Sequence, residues 1–183
     1  MEKDAHRHWY RRGYLPHFDQ RAVVQVVTFR LADSLSHHLL EQLSAHGSDG
    51  PSRFRSIDGW IDRGAGAALL RHPQYAAIVE DALKFFDGKR YRLLAWVIMP
   101  NHVHVMIEQI DRLGAILHSW KSFTANRINA LRGVRGKVWA REYYDRFIRD
   151  AAHFENAVAY IRNNPVKAGL VQNAEDWPWL GPK

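Results

Sequence analysis

The chain has 183 residues, 46% of them hydrophobic, which suits one compact domain with a proper core and leaves little room for a second full domain. Lys and Arg number 26 against 19 Asp and Glu, and the resulting charge of +7 favours a polyanionic partner over an acidic or uncharged surface role. There is no cysteine, which excludes disulfides, thiolate metal sites and cysteine nucleophiles and leaves histidine, carboxylate and amide groups to hold any metal.

The N-terminal MEKDAHRHWYRRGY lacks the apolar core of a signal peptide, and no later run is long enough to cross a bilayer, so the expectation is a cytoplasmic protein with no membrane partner. The first element is RAVVQVVTFRL, where Val23, Val24, Val26, Val27 and Phe29 make a β-branched run too continuous for a half-exposed strand. It reads as a buried central strand. SLSHHLLEQL suggests a short helix capped by Ser34 or Ser36, and the Gly, Ser and Pro content that follows marks a loop. After Pro73, residues Tyr75, Ile78, Val79, Ala82, Phe85 and Phe86 fall at helical spacing, with Gly88 as a stop.

YRLLAWVIMP and HVHVMIEQ are two strands joined at Pro100 and Asn101, which predicts an antiparallel hairpin. Leu113, Ile116, Leu117, Trp120, Phe123, Ile128 and Leu131 predict a second long helix, closed by GVRGK. VWAREYYDRFIRD supplies a fourth strand. Asp150 caps a last helix through Phe154, Val158 and Ile161, expected to end at Asn164 because proline disfavours the α conformation in its predecessor. The order strand, helix, strand, strand, helix, strand, helix predicts an α+β ferredoxin-like sandwich with a central antiparallel sheet. The expected organisation is one domain over residues 1–183, with a basic N-terminal arm over about 1–20, an insertion over about 44–66 and a C-terminal tail over about 172–183.

Two sets of residues carry chemistry. His102 and His104 lie two apart on one strand, so both rings share a face while Val103, Val105 and Ile107 take the other. Two imidazoles on a rigid strand need one further ligand to hold a divalent metal with open positions; the alternative is a pair of histidines on a wetter sheet face. Tyr160 and Asn164 stand at i and i+4 on the last helix, beside the apolar stripe. Alone, the pair reads as a boundary tyrosine and an asparagine ending a helix before proline. Basic residues gather at Arg127, Arg132, Arg135, Lys137 and Arg141 around Trp139, and again at Arg7, Arg11 and Arg12 beside Trp9 and Tyr10. Such mixtures grip phosphates and stack on unpaired bases, or form a solvated basic loop around a core tryptophan.

The strings RRGYLPHFD, VQVVTFRLADSL, FFDGKRYRLLAWVIMPNHVHVMIE, SWKSFTANRIN, WAREYYDRFIRD and AYIRNNPVKAGLV, in this order, resemble the REP-associated tyrosine transposases, bacterial members of the single-tyrosine HUH (IS200-like) transposases. PNHVHV and YIxxNPVKAGLV are specific as a pair. The resemblance implies the HUH endonuclease architecture, with His102 and His104 as metal ligands, Asn164 as the third, and Tyr160 as nucleophile. It also implies a divalent metal, Mg2+ or Mn2+, and a single-stranded DNA hairpin as partner, with the N-terminal arm reading bases beside it. Tyr143 and Tyr144 are the competing tyrosines, and Tyr160 is preferred because only it has an amide at i+4. His153, seven residues before Tyr160, is a minor candidate for moving the phenolic proton. The competing functions are a hairpin-binding regulator that does not cut and a metal-dependent phosphodiesterase that activates water. Monomer and homodimer are both compatible with the sequence.

Overall fold

A computed structural model of the chain describes residues 8–11, 16–36, 59 and 66–182. In order it contains β1 (His8–Arg11), β2 (Pro16–Asp19), β3 (Val24–Leu31), α1 (Pro73–Phe85), β4 (Tyr91–Ile98), β5 (His102–Gln109), α2 (Leu113–Arg132), β6 (Trp139–Phe147), α3 (Ala151–Lys167) and β7 (Leu180–Gly181). The main sheet has the order β6-β3-β5-β4-β7, with every pairing antiparallel. Hence β3 and β4 run parallel with β5 between them, and β5 and β6 run parallel with β3 between them. These two interlocked β-α-β units are the predicted ferredoxin-like sandwich.

Alternation along the strands decides which layer each residue joins. Val27 and Phe29 of β3 and Val103, Val105 and Ile107 of β5 pack against α1 and α2. Val26, Val97 and Met106 face the opposite way, into a second core that includes Ile161 of α3. Polar groups buried in the first core are matched: Trp120 donates its indole N–H to Tyr91 Oη at 2.8 Å, and that hydroxyl donates to the Leu83 carbonyl at 2.7 Å. One chain of two hydrogen bonds thus joins α2, β4 and α1.

Several expectations need correction. Phe85 is exposed, because α1 buries Tyr75, Ala76, Val79, Ala82 and Leu83, a stripe on which Leu83 replaces it. Phe123 and Leu131 are exposed too; the buried stripe of α2 passes instead through Thr124, whose hydroxyl accepts from the Trp139 indole at 2.8 Å. The last helix does not stop at Asn164. Pro165 lies inside α3, in its final turn, where a missing N–H forfeits only one intrahelical bond. The helix ends beyond it, with Ala168 N–H bonded to the Asn164 carbonyl, Leu170 N–H to the Pro165 carbonyl, and Gly169 at a φ of 69°. The N-cap at Asp150 is as expected: its side chain accepts from His153 N–H at 2.7 Å.

The segment read as an arm contributes the β1–β2 hairpin, and the tail contributes β7, which pairs with β4 while the Trp177 indole donates to the Ile98 carbonyl at 3.0 Å. The helix predicted in SLSHHLLEQL falls, beyond Ser36, outside the described residues, as does almost all of the insertion expected over 44–66. Among the described residues no helix is long and apolar enough to cross a membrane.

Candidate active site

The hairpin of β4 and β5 places His102 at the first position of β5, held by Met99 N–H to the His102 carbonyl at 2.9 Å. Register then fixes the neighbours: Arg30 stands opposite His102, and Thr28 opposite both His104 and Tyr144. All of these lie on the α3 side of the sheet. His102 and His104 are fully buried, with their Nε2 atoms 2.9 Å apart and their rings nearly perpendicular at 86°. His102 Nδ1 donates to Asn101 Oδ1 at 2.7 Å, since an amide oxygen can only accept; His104 Nδ1 meets Thr28 Oγ1 at 2.8 Å. Each ring is therefore gripped from behind and turns its other nitrogen toward the same point.

Burial above all, with the nearby positive charge of Lys167 among the smaller causes, disfavours protonation of both rings. His104 is lowered to about 3 and His102 well below its ordinary value, with His104 itself a further cause for His102. Both remain neutral imidazoles, the form that binds metals. The Nε2 spacing suits one cation: two nitrogens held at about 2.1 Å around an octahedral ion stand about 3 Å apart.

Helix α3 covers the pair. The Tyr160 ring packs edge-on against His104, with centroids 5.5 Å apart. One turn on, Asn164 is 1% exposed, and neither polar atom of its amide has a hydrogen-bond partner. An unmatched buried amide costs about 1–3 kcal/mol, so this side chain is suited to a ligand rather than to the core. Among the described residues no group of three or more His, Cys, Asp or Glu could hold a metal, so the two imidazoles have no carboxylate or third histidine grouped with them.

The other tyrosines differ in place. Tyr143 is buried on the far side of the sheet, bonded to Tyr10 Oη at 2.8 Å and stacked on His17 at 4.2 Å. Tyr144 shares the cross-strand row of Thr28 and His104. His153 is occupied at the start of α3, where its Nδ1 accepts from Arg149 N–H at 3.3 Å.

The sequence pattern of the family described as transposase IS200-like matches residues 72–164, a span that opens at the start of α1 and closes on Asn164. The chain belongs to the IS200-like transposases. It is 26% identical over 106 residues to the REP-associated tyrosine transposase of Escherichia coli (strain K12), covering 58% of this chain and 63% of that one. It is also 26% identical over 101 residues to a putative REP-associated tyrosine transposase of Haemophilus influenzae, covering 49% and 57%. The chain thus spans less than two thirds of the length of these curated relatives. A solved structure of a REP-associated tyrosine transposase bound to a REP hairpin matches in fold, with a TM-score of 0.57 and 19% identity over 93% of this chain and 80% of that one.

In this IS200-like fold the basic residues separate into groups. Arg127, Arg132, Arg135, Lys137 and Arg141 are all exposed along the end of α2 and the approach to β6. Lys137 and Arg141 also line a cleft of about 350 Å³ between α2 and β6, together with Lys121 and His118. Trp139 is core, edge-on to Phe29 at 4.9 Å, which decides against its stacking on a base. Trp9 is exposed and leans on Phe18 at 5.1 Å. Arg11 ends β1, whereas Arg7 and Arg12 lie outside the described residues.

One cluster escaped the sequence reading. His17 of β2 bonds through Nδ1 to Asp145 Oδ1 at 2.5 Å and stands 3.8 Å from Glu142, tying the β1–β2 hairpin to β6. No spacing rule joins residues 128 positions apart; only the alternation of HFD and YYDRF hinted at paired strands.

Proposed function

We propose that this protein is a metal-dependent single-strand DNA transposase that binds REP-like hairpins and cleaves and rejoins DNA through a 5′-phosphotyrosine intermediate. The observation that carries this reading is the packing of Tyr160 on His104, with the unpartnered amide of Asn164 one turn along the same helix. His102, His104 and Asn164 are the groups that hold a divalent ion, Mg2+ or Mn2+. When bound, the ion supplies Lewis-acid polarisation of a non-bridging phosphate oxygen.

Tyr160 attacks the scissile phosphorus in line with the departing 3′ oxygen. The phosphorus–oxygen bond to tyrosine forms as the bond to the 3′ oxygen breaks; the phenolic proton is lost to solvent, and one proton is taken up by the 3′ oxygen. One phosphodiester is exchanged for another, so a 3′-hydroxyl can reverse the attack and rejoin DNA. Thr28 and Asn101 hold the imidazoles in orientation. Arg7, Arg11, Arg12, Arg127, Arg132, Arg135, Lys137 and Arg141 are the proposed DNA contacts, to phosphates of the hairpin and its flanks.

The test is incubation of the protein with REP-like hairpin oligonucleotides and Mg2+ or Mn2+, followed by denaturing electrophoresis. A protein-linked DNA fragment is expected. Binding without cleavage identifies a regulator instead, and cleavage without an adduct under rapid quench identifies a water-activating phosphodiesterase.

A further inference from the structure

Because α3 continues through Pro165, Lys167 lies on the helix rather than in a loop beyond Asn164. Lys167 follows Tyr160 by seven residues and Asn164 by three, so the three side chains recur on one face. Its ammonium nitrogen lies 5.6 Å from the centroid of the Tyr160 ring, and the residue is exposed to whatever enters the site. Its charge also reaches both buried imidazoles and disfavours their protonation.

A lysine beside metal-binding groups weakens their hold on a cation through like-charge repulsion. Its position is productive once an anion lies between them. We infer that Lys167 is a further catalytic residue, whose ammonium binds a non-bridging oxygen of the scissile phosphate from the α3 side. This rests on the reading of Tyr160 as nucleophile. Negative charge on the non-bridging oxygens rises as the tyrosine oxygen approaches and the 3′ oxygen departs, and a preset cation favours that state over the resting diester. Lysine suits the task because its compact charge on a flexible stem can follow the phosphorus as the two bonds exchange.

The first experiment needs no metal. In chelator, wild type is expected to bind a hairpin extended through the scissile phosphate more tightly than one truncated just before it. Lys167→Ala should bind the two alike while matching wild type on the truncated hairpin. With Mg2+ or Mn2+, single-turnover adduct formation should fall about 10²-fold in Lys167→Ala, with partial rescue by Lys167→Arg. On a hairpin carrying a neutral methylphosphonate at the scissile position, wild type and Lys167→Ala should differ little. Wild-type behaviour of Lys167→Ala in binding and rate, with the Tyr160 adduct still formed, overturns the role of Lys167 and leaves the nucleophile assignment intact. Absence of an adduct in wild type on every hairpin overturns the nucleophile assignment, and the role of Lys167 with it.

Discussion

His102 and His104 bring their Nε2 atoms to 2.9 Å while Asn101 and Thr28 hold the opposite ring nitrogens. At this spacing the two nitrogens share a hydrogen bond without a metal, and both can ligate one cation once the proton between them is given up. His102→Ala or His104→Ala should therefore abolish metal binding measured by calorimetry with Mn2+, and cleavage with it, while hairpin binding in chelator stays near wild type. Asn164→Ala should be milder, since water can replace a neutral amide ligand. Wild-type Mn2+ affinity in His102→Ala would remove the metal assignment.

The outer partners give a graded test. Thr28→Val keeps the shape of the side chain but removes the hydroxyl that meets His104 Nδ1, and Asn101→Ala removes the oxygen that accepts from His102 Nδ1. Loss of such a partner typically costs about 10–100-fold in metal affinity. Each variant should lie in that range and retain its fold by circular dichroism. An unchanged affinity in both would mean that the imidazoles are oriented by packing alone.

Much of this site could be read from sequence because it depends on short periodicities. A two-residue repeat puts His102 and His104 on one sheet face, and a four-residue repeat puts Tyr160 above Asn164 on one helix face. What escaped depends on long-range packing. Trp139 sits among basic residues in sequence, yet Thr124 and Phe29 hold it in the core. The proline rule placed the end of α3 one turn early, because Pro165 occupies the final turn and the helix closes through Ala168, Gly169 and Leu170. That turn is the one that carries Lys167. The pairing of His17 with Asp145 was equally out of reach, since only the β1–β2 hairpin brings them together.

Hairpin binding should be strongly salt-dependent, because exposed Arg127, Arg132, Arg135, Lys137 and Arg141 release counterions when they neutralise phosphates. Replacing Arg132 and Arg135 together with Ala should weaken binding and reduce the slope of log affinity against log salt by about 2, roughly one per lost phosphate contact. Fluorescence anisotropy across a salt series measures it. A double variant with the wild-type slope would place these side chains away from DNA.

His17 predicts a pH-dependent anchor for the β1–β2 hairpin. Burial alone lowers its pKa, but its bonds and charge contacts with Asp145 and Glu142 outweigh burial and raise it above 6.5. For Glu142, burial pushes upward and His17 prevails, leaving the carboxyl below 4.5. Burial lifts Asp145 above its usual range. The His17 contribution is therefore complete below 6.5 and lost as pH rises through its raised pKa; that of Glu142 is complete above 4.5 and lost as pH falls through its lowered one. Wild type should lose more thermal stability than His17→Gln between about pH 6 and pH 9. Parallel pH profiles for the two proteins would show that His17 is not the titrating anchor.

The decisive substitution is Tyr160→Phe. The ring that packs edge-on against His104 is retained, so fold, metal binding and hairpin affinity should all survive. Only the hydroxyl oxygen is lost, and with it the atom that becomes bonded to phosphorus. The variant is expected to bind hairpin normally and to form no adduct. In wild type, a label on the 3′ side of the cut should migrate with denatured protein, because the tyrosine holds the 5′-phosphate of that fragment, whereas a label on the 5′ side should run as free DNA. The register supplies the competitor: Tyr144 lies in the same cross-strand row as Thr28 and His104, on the face that α3 covers. An adduct that persists in Tyr160→Phe and disappears in Tyr144→Phe would transfer the nucleophile from helix to strand. Tyr143 is a poor candidate for that transfer, since its hydroxyl is bonded to Tyr10 and its ring is stacked on His17 beyond the opposite face of the sheet.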